Sequence, residues 1–130
     1  MQIVNLMTPD PIVIDADDTL ANAKAVMDEG RFRRLPVMED GRLIGILTER
    51  DIREHTGYLG ATRVNAAMRT ALITVTPHHT VEDAAQLMLK HKIGGLPIVA
   101  DGKLVGMVTT SDLLRAFLVV VKATEHVMDG

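Results

Sequence analysis

No cysteine occurs among the 130 residues, which excludes disulfides and thiolate sites for metals or nucleophilic catalysis. Aromatic residues are nearly as scarce: no Trp, one Tyr and two Phe. A chain without an aromatic platform is poorly equipped to stack on the bases of a single strand. Basic charge is not in excess either. Fourteen Lys and Arg stand against seventeen Asp and Glu, and the net charge of −3 gives no general attraction to nucleic acid. Long hydrophobic runs are missing. The longest, "AFLVVV" at 116–121, is far short of the roughly 20 apolar residues that a membrane helix needs, so no membrane partner is expected. The opening "MQIVNLMTPD" has no basic flank followed by an apolar segment, and a cytoplasmic address follows by default. No Gly-x-Ser-x-Gly, P-loop or Rossmann fingerprint is present, so no enzyme is expected.

What the chain does have is 47% hydrophobic and 24% charged residues, the balance of a globular domain, with eight Met to fill gaps in its packing. It also has an internal repeat. "GILTERD" at 45–51 returns as "GMVTTSD" at 106–112, an offset of 61 residues. The same offset superposes Met7 on Met68, Ile12 on Ile73, Thr19 on Thr80, Ala23 on Ala84 and Met27 on Met88. It also superposes Leu35-Pro36 on Leu96-Pro97 and Asp40-Gly41 on Asp101-Gly102 without a gap. The chain is therefore a tandem duplication, divided at 1–61 and 62–130, with "TGYLGATR" at 56–63 as the linker.

Each copy reads as strand, helix, strand, strand, helix. "PIVID" and "LITVT" are short β-rich runs. Thr19 and Thr80 open helices whose apolar residues keep helical spacing, and Asp83 completes a capping box with Thr80. Gly30 ends the first of these helices, and Gly94 and Gly95 follow the second. "RLPVMEDGRLIGILT" and "GLPIVADGKLVGMVT" are hairpins, because Asp-Gly between apolar runs suits a tight turn with both residues at positive φ. "ERDIREH" and "SDLLRAFL" close the copies as helices. A copy of about fifty residues buries too little surface to be secure alone. The expected fold class is α/β, with two β-α-β-β-α repeats packed sheet to sheet about a pseudo-two-fold axis. Two related clefts are then expected where the copies meet, each rimmed by a Gly-x-x-Thr-x-x-Asp segment.

In this arrangement "RRLPVMEDGRLIGILTERD" and "GGLPIVADGKLVGMVTTSD" resemble the cystathionine-β-synthase (CBS) domain, and the tandem resembles a CBS pair, often called a Bateman module. The resemblance covers about residues 3–118. It implies a regulatory module whose usual ligands are adenosine compounds: AMP, ADP, ATP or S-adenosylmethionine. It also implies flat, disc-like homodimers. In the family, the Leu-Pro region and the start of the first strand line the base pocket. Here those are Leu35, Pro36, Leu96 and Pro97 with Pro11, Ile12, Leu72 and Ile73.

The residues themselves allow two readings of Thr-x-x-Asp. Thr48 with Asp51, and Thr109 with Asp112, can simply cap the helices that follow. They can also hold a nucleotide, since a helix N-terminus attracts anions and an Asp in the first turn can accept from ribose hydroxyls. Gly45 and Gly106 would leave room for a flat purine. Pro36 and Pro97 mark edge or irregular strand positions, with nearby unpaired backbone groups as candidate readers of the adenine edge. Arg33, Arg34 and Arg50 are candidate phosphate partners, against a reading as solvated surface residues. Ser111 stands where the first copy has Arg50, so the Asp51 site is expected to suit phosphates better. The Asp112 site must then borrow cations, take a less charged ligand or stay empty. His78-His79 cannot converge on one metal as an i, i+4 pair would, and His55, His91 and His126 are expected at the surface, so no metal site is expected.

The leading expectation is thus a homodimeric sensor of adenosine nucleotides, bound between the repeats and signalling through dimer geometry. The apolar tail "LVVV" of the last helix needs a partner surface. The alternative is a ligand-free dimerisation or interaction module, either by itself or as the N-terminal part of a larger regulated protein.

Overall fold

Asp40-Gly41 and Asp101-Gly102 form the turns that their chemistry favours, with φ of 50° and 77° in the first and 52° and 76° in the second. In this computed structural model, which describes residues 1–129 and their side chains through residue 125, each turn joins two antiparallel strands. The side chain of His126 lies outside the described residues. β1 is Thr8–Pro9, β2 Ile14–Asp15, α1 Leu20–Gly30, β3 Arg34–Glu39, β4 Arg42–Thr48 and α2 Glu49–Arg53. α3 is Val64–Ala67, α4 Val81–His91, β5 Gly95–Ala100, β6 Lys103–Thr109 and α5 Thr110–Asp129. The result is the expected α/β class, with two small sheets.

The helix boundaries follow side-chain chemistry. The Thr19 hydroxyl accepts from the Asn22 amide, and Thr80 and Asp83 form a full capping box. Neither long helix uses a glycine to stop. Arg31 and Lys92, 61 residues apart, take the left-handed conformation and donate their amides back to Met27 and Met88. "PIVID" shrinks to the two residues of β2, and "LITVT" to one parallel bridge between Val75 and Ile98. α2 is a single turn, because Thr56 and Gly57, the latter at φ 98°, follow close behind it. α5 meets no such break and runs for twenty residues.

The chain divides into two units whose limits depart from the sequence repeats. One comprises Asp10–Ile73 with Asp101–Leu104; the other comprises Met1–Pro9, Thr74–Ala100 and the chain from Val105 on. In the first unit the strand order is β2-β3-β4, with Ile14 opposite Val37 in parallel and Leu35 opposite Leu47 antiparallel. The outer edge of β4 receives Arg69, whose amide donates to the Ile46 carbonyl and whose carbonyl accepts from the Ile46 amide, at 2.8 and 2.9 Å. The core of this unit gathers Ile14, Leu20, Met27, Leu35, Val37, Leu47, Ile52 and Val64. In the second unit the order is β1-β6-β5, with Thr8 opposite Met107 and Pro9 opposite Gly106. Ile3, Leu96, Ile98 and Val108 are wholly buried.

The opening segments have thus changed places. Val64, Met68 and Arg69 belong to the unit built on the first hairpin, and their equivalents Ile3, Met7 and Thr8 to the unit built on the second. Complete burial of an aliphatic side chain is worth about 1.5–3 kcal/mol, so Ile3 and Val64 anchor these segments firmly.

Candidate functional site

Each hairpin delivers its second strand into a Thr-x-x-Asp turn. In the first unit, the Thr48 amide and hydroxyl both donate to Asp51 Oδ2, at 2.9 and 2.8 Å, while the Asp51 amide donates to the Thr48 hydroxyl at 3.2 Å. In the second unit, Thr109 and Asp112 repeat these three bonds at 2.7, 3.1 and 3.4 Å. Both turns therefore cap, as one of the two sequence readings requires. Asp51 and Asp112 are also the buried polar or charged residues among those described, each with about 5% of its surface exposed. A carboxylate so removed from water needs a counter-charge.

Arginines that the repeat did not point to supply it. Asp51 Oδ1 lies 3.4 Å from Arg69 Nε, and Asp112 Oδ1 is paired with the Arg115 guanidinium. Arg69 comes from the exchanged segment and Arg115 from the next turn of α5. Their equivalents are Thr8 and Glu54, so the 61-residue offset gave no hint of either. Asp112 therefore has its counter-charge within its own unit, which leaves open how that site would meet the phosphates of a ligand. Arg50, set by sequence beside Asp51, instead lies 3.5 Å from Glu54 Oε1 at the surface, because i, i+4 neighbours on a helix face each other.

Three further expectations change. The space beside Gly45 and Gly106 is filled by protein rather than left open for a purine. A Cβ on Gly45 would sit 2.7 Å from Met68 Sδ and 2.9 Å from the Arg69 carbonyl; one on Gly106 would sit 2.6 Å from Met7 Sδ and 3.0 Å from the Thr8 carbonyl. These glycines admit the exchanged segments. The side chains of Leu35, Pro36, Leu96 and Pro97 are fully buried core groups, so any contact from them to a ligand is by backbone. Even there, the Pro97 carbonyl accepts from the Val75 amide at 3.1 Å. Finally, α2 is too short for its dipole to hold an anion, and its first turn is already occupied by the capping box. Of the remaining candidates, Ile12 and Ser111 are exposed, while Pro11, Leu72 and Ile73 are half-buried. His79 has a local role: its Nδ1 accepts from the Thr76 amide at 2.9 Å.

The first unit does gather basic residues. Arg33, Arg34, Thr48, Glu49, Arg50 and Arg53 line a cavity of about 410 Å³. Backbone pairing builds it. Arg34 lies opposite Thr48 in the hairpin, and the Glu49 amide donates to the Arg33 carbonyl at 2.8 Å. Half-burial, together with the charge of Arg33, holds the Arg34 guanidinium below its ordinary pKa. Arg53 is new here; its place one turn beyond Arg50 was legible only once the helix was placed.

Each unit also has a concavity between its long helix and the helix that follows its hairpin. In the first unit it measures about 470 Å³ and presents Lys24, Asp28, Glu49 and Arg53. In the second it measures about 600 Å³ and presents Ala85, Met88, Leu89, Leu114, Phe117 and Val120. Among the described residues no cluster of three His, Asp or Glu could hold a metal, and no helix is long and apolar enough to cross a membrane.

Comparison with known proteins identifies this arrangement. The family model for the CBS domain matches twice, at residues 3–57 and 64–119. The CBS domain-containing protein YhcV of Bacillus subtilis (strain 168) is 38% identical over 114 residues, covering 85% of this chain and 81% of that protein. Inosine-5'-monophosphate dehydrogenase of Helicobacter pylori (strain ATCC 700392 / 26695) is 42% identical over 109 residues, covering 82% of this chain but only 22% of the dehydrogenase. Among solved structures, the CBS domain pair of protein MJ0100 in complex with 5'-methylthioadenosine and S-adenosyl-L-methionine superposes with a TM-score of 0.83 at 26% identity, covering 90% of this chain and 95% of that one. CBSX2 in complex with AMP superposes with a TM-score of 0.80 at 28% identity, covering 92% and 97%.

Proposed function

The chain belongs to the CBS domain family as a tandem pair, and from that membership we propose that it is a regulatory module that binds adenosine-type nucleotides such as AMP, ADP or ATP, without catalysing their turnover. One observation carries the reading. Asp51 and Asp112 are buried carboxylates, each held on one oxygen by its capping Thr and on the other by an arginine whose side chain is largely exposed. A pair of ribose hydroxyls can take the place of such an arginine, since both groups donate to the same carboxylate. The complexes of MJ0100 and CBSX2 with adenosine compounds support this choice of ligand class.

The module acts as a homodimer, and a specific observation favours this. Leu89, Leu114, Phe117 and Val120 are exposed on one apolar concavity, which a helix face in water does not sustain without a partner. A closed two-fold dimer is the commonest way to cover such a face, and ligand binding then signals through its geometry.

Thermal unfolding with AMP, ADP, ATP and S-adenosylmethionine tests the nucleotide reading. A ligand at 100 times its Kd adds about 2.7 kcal/mol, several degrees for a chain of this size. Asp51→Ala should lose about ten- to a hundredfold in affinity for a hydrogen bond to a charged group. No shift with any of the four compounds would leave assembly alone as the module's role.

A further inference from the structure

We infer that the first repeat selects ligands with more than one phosphate, a nucleoside di- or triphosphate, and that Arg33, Arg34, Arg50 and Arg53 make the selection. This rests on the adenosine reading and narrows it.

Four arginines and a single carboxylate, Glu49, line a 410 Å³ cavity together with Thr48. The cations are poorly neutralised. Arg50 reaches Glu54 at 3.5 Å and Arg53 reaches Glu49 at 3.8 Å, and all four of these side chains are more than half exposed. Such pairs contribute little and are readily exchanged for a better anion. Arg33 and Arg34 form no ion pair among the described residues. The Arg34 guanidinium is lowered in basicity first by burial and then by the neighbouring charge of Arg33. A monophosphate engages one or two guanidinium forks, whereas a chain of phosphates matches four, each fork taking two oxygens.

The second repeat argues that the cluster was placed rather than inherited. At the positions equivalent to Arg33, Arg34, Glu49, Arg50 and Arg53 it carries Gly94, Gly95, Thr110, Ser111 and Leu114, without a single charge. The cluster also disfavours a ligand with a sulfonium cation. A nucleic acid is a poorer match than a free nucleotide, given the net charge of −3.

Calorimetric titration of the whole chain with AMP, ADP, ATP and inorganic tripolyphosphate tests the inference. Affinity should rise from AMP to ADP to ATP, by about tenfold or more overall. Arg53→Gln should weaken ATP by about tenfold while changing AMP less than about twofold, as expected for a lost charged hydrogen bond to the outer phosphates. Arg50→Gln should act in the same direction, and an unchanged thermal midpoint shows that each variant is folded. Equal affinity for AMP and ATP, with both variants silent, overturns the inference while leaving the adenosine reading intact. Tripolyphosphate binding with no response to any adenosine compound upholds the anion selection and overturns the adenosine reading. Silence from all four probes overturns both.

Discussion

Slid by 61 residues, Lys24, Asp28, Glu49 and Arg53 of the first repeat become Ala85, Leu89, Thr110 and Leu114 of the second. The backbone around them is the same: a long helix closed by a left-handed residue, an Asp-Gly hairpin and a Thr-x-x-Asp cap. The buried positions agree too, Met27 with Met88 and Leu35 with Leu96. The two copies therefore share what folding demands and differ where solvent or a partner is met. In the first the groove between helices is charged and the last helix stops after one turn. In the second the groove is apolar and the last helix continues for twenty residues. On the reading proposed above, the first copy serves a charged small molecule and the second a protein partner. Duplication allowed this, because a core needs only its interior conserved.

The largest expected effect falls on that division of labour. Phe117→Asp combined with Val120→Asp should convert a micromolar dimer to monomer in sedimentation equilibrium, since both side chains are exposed in the isolated chain and their change costs the fold little. Asp28→Ala in the charged groove should leave the dimer intact. A wild-type monomer, or equal effects from both grooves, would break the comparison.

Next in size is the exchange of opening segments, where the repeats should behave alike. Ile3→Ala should cost about 2–5 kcal/mol in chemical denaturation, the range for emptying a buried aliphatic site. Val64→Ala, with fewer atoms to lose, should cost less. Residue 3 of an unpacked terminus would tolerate the change, so a neutral Ile3→Ala would mean that Met1–Pro9 adds nothing to its unit.

The smallest effect separates the caps of the two long helices. In α4 the Asp83 carboxylate accepts from the Thr80 amide, and that bond, with the one to the Thr80 side chain, pulls its pKa below the usual 3.8. A depressed acid stabilises the fold fully above its unfolded pKa and loses that contribution as pH falls through the folded value. In α1 the third position is Asn22, and Asp18, just before the cap, accepts from the Thr19 amide instead. Carboxyl titration by NMR should place Asp83 below 3.8, and Asp83→Asn should abolish the acid-linked fraying of α4 while leaving α1 unchanged. An Asp83 that titrates at its ordinary value would erase the distinction.

Much of this architecture could be read from local chemistry. Asp-Gly turns, Thr caps and helical spacing are each decided by a few neighbouring residues, and the unbroken offset tied them into one fold. The Thr-x-x-Asp turns were legible for the same reason. What escaped was decided by contacts distant in sequence. Gly45 looked like a gap for a ligand because Met68 and the Arg69 carbonyl, which fill it, lie more than twenty residues away. Arg69, eighteen residues from Asp51, could not be paired with it from the repeat, since its counterpart is Thr8; the Arg115–Asp112 pair is the exception, a local i, i+3 contact that the repeat merely left unmarked. The basic cavity was half legible. Arg33, Arg34 and Arg50 stood out by departing from the second copy, whereas Arg53 needed the turn of α2 to bring it alongside.

The changed places of the opening segments bear on the ancestry of the chain. A single ancestral copy with this habit could complete its sheet only by lending its first residues to a sister molecule, so its folding would have depended on its concentration. With two copies in one chain the loan is internal, and the tether sets the effective concentration of each segment. Once each half relied on the other's opening segment, neither could be lost, yet each was free to change its outward face. Two fragments separated near residue 61 and mixed should therefore recover each other's missing edge, whereas each one alone should not fold to the native state.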